Sequence, residues 1–277
     1  MKKAINIWSF PPQMELPEAL DLAKDAGYSG IELALAAEGP LSLTSSDAEI
    51  LAIKRQVADA GLVLTSLASG LGWQLPLTSD DEAVRAQGRD AVKRQIEAAT
   101  LLDVDTILVV PGVVGTDATP ADAVIDYGTA YARALEGLQE LSPLAEEADV
   151  YIGVENVWNK FLLSPIEMRD FVDQVQSPYV GVFFDVGNVV AYGYPEHWIR
   201  VLGRRIKKVH VKDYRRRAAG LAGFVDLLAG DVNWPEVIEA LKSVGYRDYL
   251  IAEMGGYTYH QTQLVRSTSA ALDAILG

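Results

Sequence analysis

The sequence predicts a single (β/α)8 barrel that spans residues 1–277 as one domain. Strand-like and helix-like segments alternate along the chain, no linker or low-complexity segment interrupts them, and 277 residues suit such a barrel. A doubly wound open sheet is the main alternative. It is disfavoured because the first predicted strand and its turn, AINIWSFPP, contain no glycine of a dinucleotide-binding loop.

Eight short segments rich in β-branched and apolar residues predict the strands, since such runs between turn signals are typical of buried strands. In chain order they are AINIWSF (4–10), GIELAL (30–35), LVLTSLAS (62–69), TILVVPG (106–112), YIGVENV (151–157), VGVFFDVGNV (180–189), IKKVHVKDY (206–214) and YLIAEM (249–254).

The segments between these strands predict helices. Pro17 and Gly27 are typical of the start and end of a helix, and Ser164 with Glu167 indicates a capping box. Pro143 predicts a break in the fourth helical segment, because proline removes a backbone hydrogen bond. The predicted helical segments are 17–26, 46–60, 80–102, 120–148, 164–175, 234–244 and 258–276.

Composition excludes several functional classes. The net charge of −14 repels polyphosphate backbones, so we expect no nucleic-acid partner. The chain has no cysteine, which excludes disulfides and thiolate metal sites and fits a cytoplasmic location. No run of about 18 apolar residues occurs, and the apolar run near the N-terminus is short for a signal peptide. We therefore expect no membrane partner.

A basic cluster covers residues 204–217 of this acidic chain. Residues 204–208 precede the seventh predicted strand and are expected at the bottom of the barrel. Residues 215–217 follow that strand and are expected at the top, where barrels often bind phosphate. A solvated surface and a site for an anionic substrate are both open interpretations of this cluster.

Four chemistry-bearing residues occur at the ends of four consecutive predicted strands, where barrel enzymes build their sites. They are Glu155, Asp185, His210 and Glu253. Carboxylates brought together raise each other's pKa strongly, and a divalent cation resolves that repulsion. The four residues therefore predict a metal site. Three oxygen ligands and one nitrogen favour Mn²⁺, Mg²⁺, Co²⁺ or Fe²⁺, with Zn²⁺ also open.

Several motifs resemble those of a known superfamily: VENVWNKFLLSP, FFDVGNV, GYPEHWI, VHVKDY, GDVNW and IAEM. The chain resembles the sugar-phosphate isomerases and epimerases, which are xylose-isomerase-like TIM barrels. They include ketose 3-epimerases, L-ribulose-5-phosphate 3-epimerases and hydroxypyruvate isomerases. The resemblance implies one divalent ion, Mn²⁺ first, at the four residues above, with Glu155 and Glu253 as the acid and base. It also implies a homo-oligomer, a dimer or a tetramer.

The resemblance also assigns substrate contacts. Arg216, six residues after the metal histidine, matches a substrate-binding arginine of related epimerases. Asn188 stands where sugar epimerases often carry a histidine, which leaves the substrate open. Lys212, two residues beyond His210, shares its face of the strand and is expected either to fix a substrate oxygen or to pair with a carboxylate.

Three further residues are expected at the site. Trp8 ends the first predicted strand and is expected to stack on a sugar. Glu32, in the second, is expected to bind a sugar hydroxyl. Asn156 neighbours Glu155 and is expected to orient it from behind the metal ligands.

The function expected from these residues is metal-dependent epimerisation or isomerisation of a sugar or sugar phosphate, above all ketose 3-epimerisation. A metal on the carbonyl stabilises the enediolate, and one carboxylate on each face moves the proton. A metal-dependent dehydratase (a lyase) of keto-inositol or dehydroshikimate type is the alternative, and a non-catalytic sugar-binding barrel is a third. A nuclease of the endonuclease IV type is disfavoured by only three histidines in the chain.

Overall fold

Eight parallel strands close into a barrel in the computed structural model, which describes all residues 1–277. The barrel strands are β1 (Lys2–Asn6), β2 (Gly30–Leu35), β3 (Val63–Ser69), β4 (Thr106–Val109), β5 (Tyr151–Glu155), β6 (Val180–Asp185), β7 (Ile206–Val211) and β10 (Tyr249–Ala252). Around the barrel they follow the order β1-β10-β7-β6-β5-β4-β3-β2. The predicted (β/α)8 fold is thus confirmed.

Eight α-helices accompany the strands. Their ends follow local capping rules: Ser46 and Glu49 form a reciprocal capping box at the start of the second helix. None of the helices combines the length and the apolar composition that a membrane crossing requires. The helices are α1 (Leu16–Asp25), α2 (Asp47–Asp59), α3 (Glu82–Leu102), α4 (Tyr127–Glu147), α5 (Pro165–Gln174), α6 (Pro195–Leu202), α7 (Trp234–Ser243) and α8 (Gln261–Leu276).

The predicted break at Pro143 is wrong, because α4 runs through it. Proline has no N–H for the carbonyl of Gln139, which instead accepts a hydrogen bond from the Ser142 hydroxyl at 3.3 Å. Leu138 and Leu141 on the same helix are fully buried. Packing of this apolar face therefore offsets the missing backbone bond.

Helix α6 is missing from the predicted segments. It begins with Pro195 at its first turn, and it buries Trp198, Ile199 and Leu202 against the barrel. The N-terminal proline and the apolar spacing are the sequence signals of this helix. The helix is only 8 residues long, so its pattern is short.

Six predicted strands end earlier than expected, namely those that correspond to β1, β4, β5, β6, β7 and β10, and two of them have a clear local reason. β1 ends at Asn6, whose side chain accepts the backbone N–H of Trp8 and starts a 3-10 turn. The seventh predicted strand, 206–214, divides after Val211. Its end pairs in an antiparallel hairpin, β8 (Asp213–Tyr214) with β9 (Phe224–Val225). This hairpin contributes to the wall of a cavity at the C-terminal end of the barrel.

The apolar core has two parts. The larger part lies between the barrel and its helices, as the fold class requires. The smaller part fills the barrel interior and includes Phe183, which is fully buried. The interior is therefore packed, and the C-terminal ends of β5, β6, β7 and β10 face the open cavity above it. The smaller cluster consists of Ala4, Ala68, Leu108, Val110, Val157, Phe183, Tyr249 and Ile251.

Candidate metal centre and active site

The structure brings the four predicted metal ligands together. Glu155 and Asp185 are the last residues of β5 and β6, His210 lies in β7, and Glu253 directly follows β10. Asp185 and His210 are register partners across β6 and β7. One potential ligand atom from each of the four residues lies within 4.8 Å of the others. The first three are buried, and the side chain of Glu253 is 20% exposed.

Three buried polar atoms in this cluster make no hydrogen bond: Oε1 of Glu155, Oδ2 of Asp185 and Nδ1 of His210. Two of them have only a charged neighbour, because Oδ2 lies 3.0 Å from Nζ of Lys212 and Nδ1 lies 2.9 Å from Oε2 of Glu253. Buried polar atoms are nearly always satisfied, so three together mark a missing interaction. Two carboxylate oxygens and an imidazole nitrogen are suitable ligands for a divalent cation. The donor chemistry of these residues therefore fits the divalent cation that the sequence predicts.

Asp185 is held so that one of its carboxylate oxygens accepts a hydrogen bond and the other accepts none. Its Oδ1 accepts the backbone N–H of Asn188 at 2.8 Å, and Oδ2 is the orphaned atom. Asn156 brackets the backbone of Asp185, because its Nδ2 donates to the carbonyl and its Oδ1 accepts the N–H. Asn156 thus supports Asp185, which corrects the expectation that it orients Glu155.

Glu32 lies beneath the metal cluster and not in the cavity wall. Its side chain is fully buried, and its Oε1 is 2.6 Å from Nε2 of His210. The expectation that Glu32 binds a sugar hydroxyl is therefore corrected, because the imidazole separates it from the cavity. A carboxylate on one ring nitrogen fixes the orientation of the ring and directs Nδ1 at the other ligands.

Two residues that the sequence reasoning missed hold Glu32. Asn6 is its register partner across β1 and β2, and its Nδ2 donates to Oε1. Ser66 on β3 donates its hydroxyl to Oε2 at 2.5 Å. Phe183 packs against the imidazole of His210, with ring centres 4.5 Å apart. The available signal was that Asn6 and Ser66 are polar residues inside otherwise apolar strands.

Burial and charge shift the acids in opposite directions. Burial raises the pKa of Glu155 to about 7, and burial likewise raises the pKa of Asp185. Burial also acts to raise the pKa of Glu253, but the charge of Lys212 and contacts with His210 lower it to about 2. Burial disfavours a charged His210, yet Glu32, Glu155 and Glu253 raise its pKa well above the usual value. Without a metal, the cluster thus holds a proton on His210.

Lys212 directly follows β7 on the same face as His210, as expected. Its ammonium lies 3.0 Å from Oδ2 of Asp185 and 3.0 Å from Oε2 of Glu253,. Burial disfavours its charge, but these carboxylates and Glu155 raise the pKa of Lys212. Of the two predicted roles, the structure shows the pairing with carboxylates.

A cavity of about 1760 Å³ opens above the cluster. Its wall includes five of the predicted site residues in addition to Glu155: Trp8, Asn188, Lys212, Arg216 and Glu253. Asn188 donates its side-chain N–H to the carbonyl of Asn156, and Trp158 donates its indole N–H to the carbonyl of Asn188. The predicted catalytic and substrate residues, with Glu32 excepted, thus share one concave site at the end of the barrel where chemistry is expected.

Residues of the basic cluster separate as the sequence predicts. Lys208, within β7, is buried and pairs with Asp105 and Asp248, which flank the N-terminal ends of β4 and β10. Arg216 lies on the hairpin and lines the cavity. Only the second position can reach a substrate at the catalytic end.

The chain belongs to the xylose isomerase-like TIM barrel family, whose model matches residues 20–275. The family and the superfamily resemblance found in the motifs agree. This membership defines the class of protein.

Among the similar proteins is the L-ribulose-5-phosphate 3-epimerase UlaE of Escherichia coli K12. It is 27% identical over 244 residues, which cover 87% of this chain and 82% of UlaE. The D-psicose 3-epimerase of Clostridium cellulolyticum H10, solved with D-tagatose, has a similar fold: the TM-score is 0.79 at 21% identity, covering 100% of this chain and 98% of that one. An L-ribulose 3-epimerase gives a TM-score of 0.80 at 18% identity, with coverage of 99% and 94%. The match to UlaE supports an enzyme of the isomerase class, and the two solved structures show the same fold.

Proposed function

We propose that this protein is a divalent-metal-dependent ketose 3-epimerase. The observation that carries the proposal is the cluster of Glu155, Asp185, His210 and Glu253, with its three orphaned buried atoms, beneath a large cavity. The names of the family relatives, L-ribulose-5-phosphate and ketose 3-epimerases, support the same chemistry.

The four clustered residues would hold one divalent cation. Three oxygens and one nitrogen favour Mn²⁺, Mg²⁺, Co²⁺ or Fe²⁺, and the family resemblance puts Mn²⁺ first. When bound, this cation would act as a Lewis acid that stabilises negative charge on the substrate oxygens. Glu32, Asn6 and Phe183 keep the imidazole in place from behind.

Glu155 and Glu253 are positioned to act from two sides of a substrate. Glu155 ends β5 and Glu253 follows β10, and the strands β6 and β7 lie between β5 and β10 in the barrel. Both side chains line the cavity. In the proposed reaction, one carboxylate removes the proton from C3, and the C–H electron pair moves toward C2 and its carbonyl oxygen. The other carboxyl group returns a proton to the opposite face of C3. The product differs from the substrate only in the configuration at C3.

The cavity wall supplies the substrate contacts of this proposal. Lys212 lies beside Asp185 and Glu253, so its ammonium can donate a hydrogen bond to a substrate oxygen that is held at the carboxylate cluster. Asn188 uses one N–H of its side-chain amide on the carbonyl of Asn156, so its side-chain oxygen Oδ1 and its second N–H are the groups available to a sugar hydroxyl. Arg216 and Trp8 line the same cavity farther out.

The test is proton NMR in D₂O with the Mn²⁺-loaded protein and a panel of ketoses and ketose phosphates. Deuterium at C3 together with a new epimer is the expected result. Exchange at C1 would instead identify an aldose–ketose isomerase. Loss of water from keto-inositol or dehydroshikimate would identify the dehydratase alternative, and binding with no exchange at all would leave a sugar-binding barrel.

The homo-oligomeric state and the cytoplasmic location stay predictions of the sequence. Light scattering on the purified protein measures the first, and a dimer or a tetramer is the expected result.

A further inference from the structure

We propose that the substrate is an unphosphorylated ketose whose far end carries a second ring with an apolar face, such as another sugar or an aryl group. This inference rests on the proposed function and specifies its substrate class.

The cations of the cavity are already paired. Lys212 contacts Asp185 and Glu253, and Nζ of Lys160 lies 2.7 Å from Oδ1 of Asp117. A phosphate would have to compete with a carboxylate for either lysine. The wall also carries more carboxylates than cations, so its side chains by themselves give the cavity no net positive field for an anionic group. The lining carboxylates are Asp117, Glu155, Asp213, Asp226 and Glu253.

Arg216 is the third cation, and two of its five N–H groups are committed to the protein. Its Nε donates to the carbonyl of Val190 at 2.8 Å, and Nη2 donates to the carbonyl of Gly193 at 3.1 Å. The guanidinium also lies over the ring of Tyr194, 5.0 Å from its centre. Tight phosphate binding by arginine needs two parallel N–H donors. The two carbonyls occupy the Nε–Nη2 edge, which leaves the Nη1–Nη2 edge as the one pair that could face an anion.

The other arginines of the basic cluster do not line the cavity. Arg215 donates to the carbonyl of Ala229 at 2.6 Å, and its side chain is thus engaged away from the cavity. Of residues 215–217, only Arg216 lines the cavity, so this cluster offers an anionic group a single arginine with one edge already occupied.

The cavity wall is rich in aromatic rings. Trp8 and Trp73 are each 42% exposed, although tryptophan normally buries its large apolar surface. Trp158 packs edge-on against Tyr214 and tilted against Phe224, with ring centres 5.4 and 5.1 Å apart. These rings offer broad apolar faces, which a small polar ketose alone would leave largely in water. A substrate ring with an apolar face would cover them.

The size of the cavity points to the same extension. Its volume of about 1760 Å³ exceeds the roughly 300–1,000 Å³ of sites that hold drug-sized ligands. A free pentose or hexose would occupy only the part next to the carboxylate cluster. The outer, aromatic part is then the natural position for a second ring.

Three ketoses that differ only at O6 test this inference: D-fructose, D-fructose 6-phosphate and 6-O-α-D-glucopyranosyl-D-fructose. Isothermal titration calorimetry on the Mn²⁺-loaded protein measures their affinities. We expect the disaccharide to bind at least about tenfold more tightly than fructose, and the phosphate to bind no more tightly than fructose. Tighter binding of the phosphate, equal binding of the disaccharide and fructose, or binding of none of the three would overturn the inference.

A variant pair tests the aromatic wall itself. Trp73→Ala is expected to reduce the ratio of disaccharide to fructose affinity by at least about fivefold. Tyr259→Ala is the matched control, because Tyr259 is 80% exposed and lies outside the cavity wall. An unchanged ratio in Trp73→Ala would contradict the inference.

The same three compounds in the D₂O experiment separate the two proposals. Tight disaccharide binding without C3 exchange in any compound would overturn the proposed epimerase function and leave the binding inference intact. C3 exchange that is fastest with the 6-phosphate would support the epimerase and overturn the substrate class proposed here.

Discussion

Oε1 of Glu32 lies 2.6 Å from Nε2 of His210, and both side chains are fully buried in the barrel. The carboxylate is supported in turn by Asn6 and Ser66. This chain of contacts fixes which nitrogen of the imidazole faces the other metal ligands. Orientation from behind a ligand is a frequent feature of metal sites in proteins.

Glu32→Gln is therefore expected to weaken Mn²⁺ binding about 10- to 100-fold while the protein still folds. The amide places an N–H group where Glu32 only accepts hydrogen bonds, so the ring loses its fixed orientation. Isothermal titration calorimetry with Mn²⁺ measures the affinity, and circular dichroism checks the fold. Glu18→Gln, at an exposed position of α1, is the control. Equal Mn²⁺ affinity in both variants would contradict the positioning role.

Removal of Lys212 is expected to destabilise the metal-free protein most. Its ammonium lies between Asp185 and Glu253, and without it two carboxylates face each other with little solvent. Lys212→Met should therefore lower the free energy of unfolding by about 3 kcal/mol in EDTA. Saturating Mn²⁺ supplies positive charge to the same carboxylates, so the loss should be smaller there.

Urea denaturation with EDTA or with Mn²⁺ measures this difference. Lys242→Met is the matched control, since Lys242 is exposed on α7 and should change little under either condition. An equal loss of stability for Lys212→Met with and without Mn²⁺ would show that the lysine and the metal do not act on the same carboxylates.

Metal addition alone is expected to stabilise the protein through the orphaned atoms of the cluster. Mn²⁺ at 100 times its dissociation constant should add about 2.7 kcal/mol, which a thermal melt registers as a rise of several degrees. Asp185→Asn removes a ligand charge and should remove most of this rise. Asp21→Asn, exposed on α1, should keep it. A full rise in Asp185→Asn would place the metal elsewhere.

The sequence was sufficient for the barrel and for the four clustered residues, because both follow from strand order. Parallel strands of a barrel all end at the same end of the barrel. The side chains at or near those strand ends therefore lie close together, as Glu155, Asp185, His210 and Glu253 do. Tertiary contacts decided what the sequence left open. Glu32 was assigned to the sugar because position along a strand does not tell whether another side chain lies above it.

Local signals failed where packing overrides them. Pro143 breaks an isolated helix, yet α4 continues because its apolar face is buried against the barrel. The hairpin of β8 and β9 pairs segments separated by a loop, and no strand pattern marks its second arm, Phe224–Val225. That hairpin matters for function because it carries Arg216 and part of the aromatic wall.

The proposed mechanism, with one glutamate on each face of C3, predicts that Glu155→Gln and Glu253→Gln each lose exchange of the C3 proton with only one of the two epimers. A ketose such as D-fructose and its 3-epimer D-psicose present the C3 proton on opposite faces. With one carboxylate removed, the epimer whose proton faces it cannot react at all. The other epimer still loses its proton to the remaining carboxylate, but the proton can only return from the same side.

In D₂O, each variant is therefore expected to exchange the C3 proton of one epimer without forming the other, and the two variants should show opposite preferences. Proton NMR at saturating Mn²⁺ measures exchange and epimerisation together. Glu239→Gln, exposed on α7, should retain both activities with both epimers. If Glu155→Gln and Glu253→Gln were silent with the same epimer, the two carboxylates would act on one face, and the structure would then support a proton shuttle between adjacent carbons in place of epimerisation.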